Sequence, residues 1–314
     1  MGNYLVTGGC GFIGSHLVDA LIAAEHRVWV LDDLSTGSRD NLNPKAELIV
    51  GEICDVPLVK KAMAGMHGCF HLAAVASVER SVEAWMETHH VNLSGTISVF
   101  EAAKDALGGN PIPVVYASSA AIYGDNASMP LSEKAQPRPL TAYGADKLGC
   151  ELHARVGHLV HQVPSMGMRF FNVYGPRQDP KSPYTGVISI FIDRICRGEV
   201  IKVFGDGEQC RDFIYVGDVV RFLIGAMRAA DGKNGVLNVC TGRMVTINQL
   251  AQVISSLSGQ ALEIEHCPPR HGDIRISLGD PDRAARCLGL KAETELGVGL
   301  KHTIAAHGVL AEAA

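Results

Sequence analysis

Nowhere in this chain do apolar residues run together for the roughly 18 positions that a bilayer demands, so no membrane-spanning helix is expected. A basic excess is also missing. The 28 Lys and Arg stand against 33 Asp and Glu, a formal charge of -5. The electrostatic footprint of a nucleic-acid binder is therefore absent, although a local basic pocket for a phosphorylated small molecule is compatible with that balance. The nine cysteines are odd in number and scattered from Cys10 to Cys287, with no C-x-x-C pair. This argues against a disulfide framework or zinc site and for a reducing, cytoplasmic compartment. The opening MGNYLVTGG has neither a basic stretch nor an apolar run, so no signal peptide is expected. Val6 stands where a myristoylation signal wants Ser or Thr. Internal repeats and low-complexity tracts are absent as well.

What is present is a globular composition. Over 314 residues, 47% hydrophobic and 19% charged residues suffice for a sizeable core, in one large or two modest domains. Short apolar runs alternate with longer amphipathic ones. Strands are predicted at Asn3–Thr7, Arg27–Asp32, Glu47–Gly51, Cys69–Leu72, Pro113–Ala117 and Met166–Phe171. Helices are predicted at Phe12–Ala24, Val56–Ala64, Arg80–Leu107 (one or two) and Ala142–Gln162. Nearly continuous apolar strands at this spacing point to a parallel sheet covered on both faces. After Asn172 the texture changes. Tyr174–Gly186 holds three prolines and reads as irregular, with helices following near Val187–Arg197 and Asp218–Ala229. Glu263–Ser277 reads as a loop around Pro268-Pro269. Trp29 reads as strand core and Trp85 as helix packing. His153, His158 and His161 lie on a predicted helix without matching carboxylate or cysteine spacing, so a solvated face is preferred to a metal site.

The chemistry starts at Thr7–Leu17, TGGCGFIGSHL, between a predicted strand and a predicted helix. Gly8, Gly11 and Gly14 allow a tight turn and a close approach of backbone to a pyrophosphate, which the helix N-terminus then attracts. Asp32 ends the second strand, 18 residues after Gly14, where a carboxylate accepts hydrogen bonds from a ribose hydroxyl pair. It would repel a 2′-phosphate, so NAD is favoured over NADP. Arg39 reads as surface arginine, and Cys10 falls inside the glycine loop. Together these features predict an α/β, Rossmann-type doubly wound parallel sheet over residues 1–173. Residues 174–314 are expected to form a smaller α/β substrate domain, part of which (about 211–240) returns to the first sheet.

Tyr143-Gly-Ala-Asp-Lys147 sets a phenol and an ammonium one helical turn apart on one face. An ammonium beside a phenol favours the phenolate, which suits the phenol to general-base work. Upstream, ASSAAIYG places Ser119 at the end of the fifth strand, where such sheets bind ligands. Ser118 reads as satisfying backbone in the turn.

With HLAA at His71–Ala74, VNLSGT at Val91–Thr96, RFFNVYGPRQDP at Arg169–Pro180, FGDGEQCRDFIYVGDVV at Phe204–Val220 and PPRHGDIR at Pro268–Arg275, the chain resembles the extended short-chain dehydrogenase/reductases. Within them it is similar to the sugar-nucleotide epimerase/dehydratase family, and there to 4-epimerases of UDP-glucose and UDP-N-acetylglucosamine. The resemblance runs nearly end to end. It implies a redox-neutral exchange with tightly held NAD. Tyr143 takes the proton of the sugar 4-hydroxyl while hydride leaves C4, the 4-keto sugar turns, and hydride returns to its other face. Ser119 holds the oxygen, and Lys147 binds the nicotinamide ribose. The resemblance also implies cofactor contacts at Phe12, Ile13, Glu52, Ile53, Leu72, Ala73, Ala74, Asn92 and Phe170. Glu52 stands where the family usually has Asp. Asn172, Arg211, Arg270 and Asp273 are implied around the diphosphate and nucleotide of a UDP-sugar, and guanidinium forks suit phosphate.

Ala120 and Ala121 follow Ser119 where dehydratases and decarboxylases of the family carry acids, so those reactions are disfavoured. The resemblance places the small Ser277 where a bulky tyrosine excludes N-acetylated sugars in such epimerases, which implies room for a 2-acetamido group. A UDP-glucuronate 4-epimerase or another NDP-sugar epimerase, and a catalytically idle NAD-binding sensor or scaffold, are the alternatives, the last opposed by the intact Ser119, Tyr143 and Lys147. The helices at 80–107 and 142–162 carry apolar positions on more than one face, and the resemblance implies that they pair with a second subunit as a four-helix bundle, making a homodimer.

Overall fold

The computed structural model describes residues 1–180, 186–230, 232–270 and 272–307. The first half runs β1 (Asn3–Thr7), α1 (Phe12–Ala23), β2 (Arg27–Asp32), β3 (Glu47–Val50), α2 (Val56–Met63), β4 (Gly68–His71), α3 (Val78–Glu83), α4 (Trp85–His89), α5 (Gly95–Ala103), β5 (Val114–Ser119), α6 (Ala142–His161) and β6 (Ser165–Phe170). The second half continues with β7 (Asn172–Tyr174), α7 (Val187–Cys196), β8 (Ile201–Phe204), β9 (Cys210–Arg211), β10 (Phe213–Tyr215), α8 (Val216–Ala229) and β11 (Asn234–Val239). It ends with β12 (Val245–Thr246), α9 (Ile247–Ser258), β13 (Ile264–Cys267), β14 (Ile276–Ser277), α10 (Asp282–Leu288) and α11 (Leu296–Ala306).

The central sheet has seven strands in the order β3-β2-β1-β4-β5-β6-β11, all parallel. From β1 the chain winds outward to β3, then crosses to β4 and winds the other way. That reversal opens a crevice between β1 and β4 at their C-terminal ends, the place where such sheets bind ligands. Both faces are covered. Leu17, Val18 and Leu21 of α1 and Val219, Phe222 and Leu223 of α8 pack on Val6, Val30, Val115 and Leu237. On the other face Val59 and Met63 of α2, Phe100 of α5 and Ala154 of α6 pack on Leu5, Leu31, Cys69 and Val114. A further core of Ile188, Ile192, Ile201, Phe213, Leu250, Ile254 and Leu300 unites α7, α9 and α11 with β8 and β10. No helix is long and apolar enough to cross a membrane among the described residues.

Three predicted elements need correction. The run 80–107 is neither one helix nor two. Ala84 breaks it with φ -126° and ψ 60°, and a π-helical turn over His90–Ser94 separates α4 from α5, which ends at Ala103. The loop predicted at Glu263–Ser277 holds β13 and β14, because backbone pairing with β8 and β9 outweighs the nearby prolines. Trp85 is not packed but 65% exposed. The seventh strand, β11, follows α8 back into the sheet beside β6. Of the irregular segment read at Tyr174–Gly186, residues 181–185 lie outside the described residues.

His71 locks the crossover. Its Nε2 lies 3.0 Å from Thr96 Oγ1 and its Nδ1 2.8 Å from Thr7 Oγ1. Thr96 spends its own proton on the Asn92 carbonyl, 2.6 Å away, so it accepts from His71 and the imidazole is the neutral Nε2–H form. Burial, and then the charge of Lys147, lowers the His71 pKa to about 3. The unfolded imidazole, with a pKa of about 6.5, takes up a proton that the native one refuses. Native stability is therefore expected to fall as pH drops from about 6.5 toward 3, by up to about 1.4 kcal/mol per pH unit from this group. Urea unfolding of the wild type and His71→Asn between about pH 4.5 and 7 checks this. The variant should show the shallower slope, by about one proton.

Candidate active site

The crevice is a cleft of about 800 Å³. Gly8, Gly11, Phe12, Ile13 and Gly14 form one wall of it, Asp32 its end, and Glu52, Ile53, Leu72, Ala73 and Ala74 the strip between. Gly8 has φ +72°, and a Cβ there would stand 2.7 Å from the Ala73 backbone nitrogen. A Cβ on Gly14 would run into the Gly8 carbonyl oxygen. The loop can therefore lie this close to β4 and α1 only as glycine. No side chain caps α1 and no acid sits in its first turn, so its positive end is left for an anion.

Asp32 is buried, and both its oxygens accept backbone N–H groups, Oδ2 from Cys10 and Oδ1 from Leu34, each at 2.9 Å. Burial raises its pKa, opposed by those two hydrogen bonds. The carboxylate is thus held rigidly at the edge of the cleft, with lone pairs left for hydroxyl donors. Cys10 is fully buried, and burial followed by the Asp32 charge pushes its thiol up to about 11. It is a packing residue. Asn92 does not line the cleft. Its amide bonds the Val75 nitrogen and carbonyl, at 2.8 and 3.0 Å, and Val75 is the lining residue.

Ser119, Tyr143, Lys147 and Phe170 meet at the other end of the same cleft. Thr141 caps α6 by accepting from Gly144 N, which fixes where the helix starts and so where Tyr143 stands. Lys147 is buried. Its Nζ donates to the Ala117 carbonyl at 3.0 Å and lies 5.8 Å from the Tyr143 ring centroid. Ser119 Oγ accepts from Ala121 N at 3.1 Å, which leaves its proton for a ligand oxygen.

Ser118 does more than the sequence indicated. Its Oγ donates to Glu151 Oε1 at 2.6 Å rather than to turn backbone. Glu151, one turn beyond Lys147, also takes both arms of Arg169, Nε at 2.8 Å and Nη2 at 2.7 Å. Arg169 Nη1 continues to the Tyr123 hydroxyl at 2.8 Å, and Tyr123 to Asn238 at 2.6 Å. Burial works to lower the Arg169 pKa, yet the hydrogen bonds and charge of Glu151 outweigh it and raise it. Glu151 and Arg169 were not singled out from the sequence, since nothing local joins residues 18 apart on a helix and a strand.

The remaining candidates gather elsewhere. Arg211 Nη2 pairs with Asp273 at 2.6 Å, and Ser277 is the register partner of Arg211 where β14 joins β9. The Arg270 guanidinium lies 4.0 Å over the Phe204 ring, and Asn172 Nδ2 donates to the Asp212 carbonyl at 3.0 Å. None of these five lines the cleft, whose further lining residues include Arg80, Glu87, Arg177 and Gln178. Arg39 is exposed, as read. Among the described residues no three metal-binding side chains come together.

Residues 4–240 match the NAD dependent epimerase/dehydratase family. The chain belongs to that family. A UDP-glucose 4-epimerase of Mycolicibacterium smegmatis is 37% identical over 306 residues, 96% of each chain. The UDP-glucose 4-epimerase of Thermotoga maritima, solved with UDP-glucose, superposes with a TM-score of 0.92 at 37% identity, covering 98% of both chains. A UDP-N-acetylglucosamine 4-epimerase from Methanobrevibacter ruminantium M1, in complex with UDP-N-acetylmuramic acid, gives the same score, identity and coverage. Glu151, bonded to Ser118 of β5 and paired with Arg169 of β6, ties α6, which carries Tyr143 and Lys147, to the strand that ends at Ser119. Removing one partner strands a buried charge, so Glu151→Leu or Arg169→Met alone is expected to lose about 3–5 kcal/mol. The double replacement should lose clearly less than the two singles together. Urea denaturation of the four proteins measures this coupling.

Proposed function

We propose that the chain is a 4-epimerase of UDP-hexoses, interconverting UDP-glucose and UDP-galactose with NAD held in the cleft. One observation carries this reading. Ser119, Tyr143 and Lys147 converge at one end of the cleft, while Ala120 and Ala121 follow Ser119 with no carboxylate. The site thus has a group for an oxygen-bound proton and none there for the carbon chemistry of dehydration. The glycine loop, the open end of α1 and Asp32 fit a dinucleotide without a 2′-phosphate. When bound, NAD supplies a reversible two-electron acceptor. Tyr143 takes the proton of the sugar 4-hydroxyl and later gives it back, ending each cycle as it began. Ser119 donates to the same oxygen and keeps it near Tyr143. Lys147, fixed by Ala117, keeps a positive charge beside the phenol and reaches the cofactor ribose. A sugar that returns by its other face leaves as the C4 epimer.

We further propose that Asn172 meets the substrate diphosphate, that Arg211, Arg270 and Asp273 lie around the nucleotide, and that Ser277 leaves room for a 2-acetamido group. UDP-N-acetylglucosamine would then be a substrate too. The nine cysteines, all unpaired in the structure, support a reducing cytoplasm.

The outer faces of α3, α4 and α6 support a homodimer. Val82, Trp85, Met86, Leu159 and Val160 are each more than 60% exposed, and Leu152, Val156 and Leu159 follow a helical stripe. A contiguous apolar face of this kind marks an interaction surface. The purified chain is expected to sediment as a dimer at micromolar concentration, and Leu159→Glu together with Val156→Glu to shift it to monomer. Analytical ultracentrifugation reads both.

A panel of UDP-sugars scored for 4-epimer product, without added NAD, tests the activity. Turnover of UDP-galactose and of UDP-N-acetylgalactosamine is expected. Tyr143→Phe should lower kcat by about 10²–10⁴-fold, the usual worth of a general base, with its NAD content unchanged. Product from UDP-galactose alone would refute the Ser277 assignment, and wild-type rates in Tyr143→Phe would refute its role as base.

A further inference from the structure

Asp19 is seven residues into α1, on the same side as Phe12 and His16, and it has no part in the chemistry above. Both its oxygens are engaged from outside the helix. Oδ2 pairs with Arg177 Nη2 at 2.8 Å, and Oδ1 accepts from Asn43 Nδ2 at 2.8 Å. One turn earlier His16 Nε2 lies 2.9 Å from the Pro176 carbonyl. A carbonyl can only accept, so His16 donates from Nε2. Burial lowers the His16 pKa, which keeps it in that neutral form near neutral pH.

These contacts join three separate pieces of chain around one opening. Asn43 belongs to the segment after β2, whose residues Asp33, Ser35, Thr36, Gly37, Ser38 and Asn41 line the cleft. Pro176 and Arg177 belong to the segment after β7, and Arg177, Gln178 and Asp179 line the cleft opposite. The helix between them is the one whose first turn meets the pyrophosphate. Arg177 holds φ +65°, a left-handed backbone that a side-chain-bearing residue adopts only when its surroundings hold it there. On its far side Gln178 accepts from Ser189 of α7 at 2.8 Å, so the segment is pinned from both directions.

We propose that Asp19, with Asn43 on one side and Arg177 and His16 on the other, forms a clasp that joins the two lips of the cleft across α1 and sets how long NAD stays bound. The proposal rests on the reading of the cleft as an NAD site. It gives retention its own residues, apart from those that recognise ribose and pyrophosphate. A redox-neutral cycle needs them, because a cofactor lost midway leaves the sugar oxidised at C4.

The test is the release rate of NAD from pre-loaded holoenzyme. Alcohol dehydrogenase and ethanol trap each released molecule, read by absorbance at 340 nm. Asp19→Asn and Arg177→Gln are each expected to release NAD at least threefold faster, and the double variant no faster than the quicker single. The charge swap Asp19→Arg with Arg177→Asp should restore slow release. The Asp19–Arg177 pair is about one-third exposed, so salt screens it. Wild-type release should therefore quicken between low salt and about 0.5 M salt, and release from the two single variants should not. Bound NAD that leaves at one rate from all five proteins, at either salt, overturns the clasp alone. A chain that takes up no NAD overturns the cofactor reading and the clasp together.

Discussion

One buried carboxylate, Glu151, ties the helix of Tyr143 and Lys147 to the strand that ends at Ser119. Tyr143 and Lys147 ride on α6, and Ser119 ends β5. A helix and a strand packed by apolar contacts alone can slide. Here two polar ties meet consecutive residues of the strand, Lys147 on the Ala117 carbonyl and Glu151 on the Ser118 hydroxyl. Glu151 would be costly to bury alone, and Arg169 of β6 compensates it with a bidentate fork. The fork then extends through Tyr123 to Asn238 of β11. A network with every member bonded resists displacement more than its separate pairs would. The registry of the reacting groups is therefore inherited from three neighbouring strands at once.

The cofactor end obeys a different constraint, which is space. Gly8 and Gly14 are required because backbone stands where a Cβ would go. The same crowding lets α1 start directly at the sheet edge with its free N–H groups at the cleft. Asp32 then needs no charged partner of its own. It is held by two backbone N–H groups, which fix its direction while leaving it negative. Glycine supplies the fit, and two backbone donors fix the acid at the edge of the cleft.

What could be read from the sequence follows from how local its cause was. The six strands of the first half and the long helix α6 show in apolar periodicity, and the glycine loop, Asp32, Ser119 and the Tyr143–Lys147 pair show in spacing. The structure collects all of these in one cleft. What could not be read depends on distant partners. Glu151 and Arg169 look like ordinary charged residues until α6 is laid on β6. The strand at Ile264–Cys267 exists because β8 lies beside it, although its surroundings are proline-rich. Trp85 reads as a packed residue and is nevertheless exposed at the first residue of α4, while Thr88 of the same helix is buried.

The net charge of -5 conceals how the arginines near the proposed nucleotide site are disposed. Arg211 is already paired with Asp273 and bonded to the Ile274 carbonyl, so its guanidinium is fixed in place before any diphosphate arrives. A phosphate that binds there must share Arg211 with a carboxylate, which weakens the attraction. Arg270 differs. Among the described residues it has no carboxylate partner, and Phe204 holds its guanidinium face-on at 4.0 Å. A cation held by a ring face keeps its charge and its outward N–H donors. In the proposed site Arg211 is the arginine held in place by the protein and Arg270 the one whose charge no carboxylate among the described residues offsets. Affinity for the diphosphate should accordingly fall further on loss of Arg270 than its loop position alone would suggest.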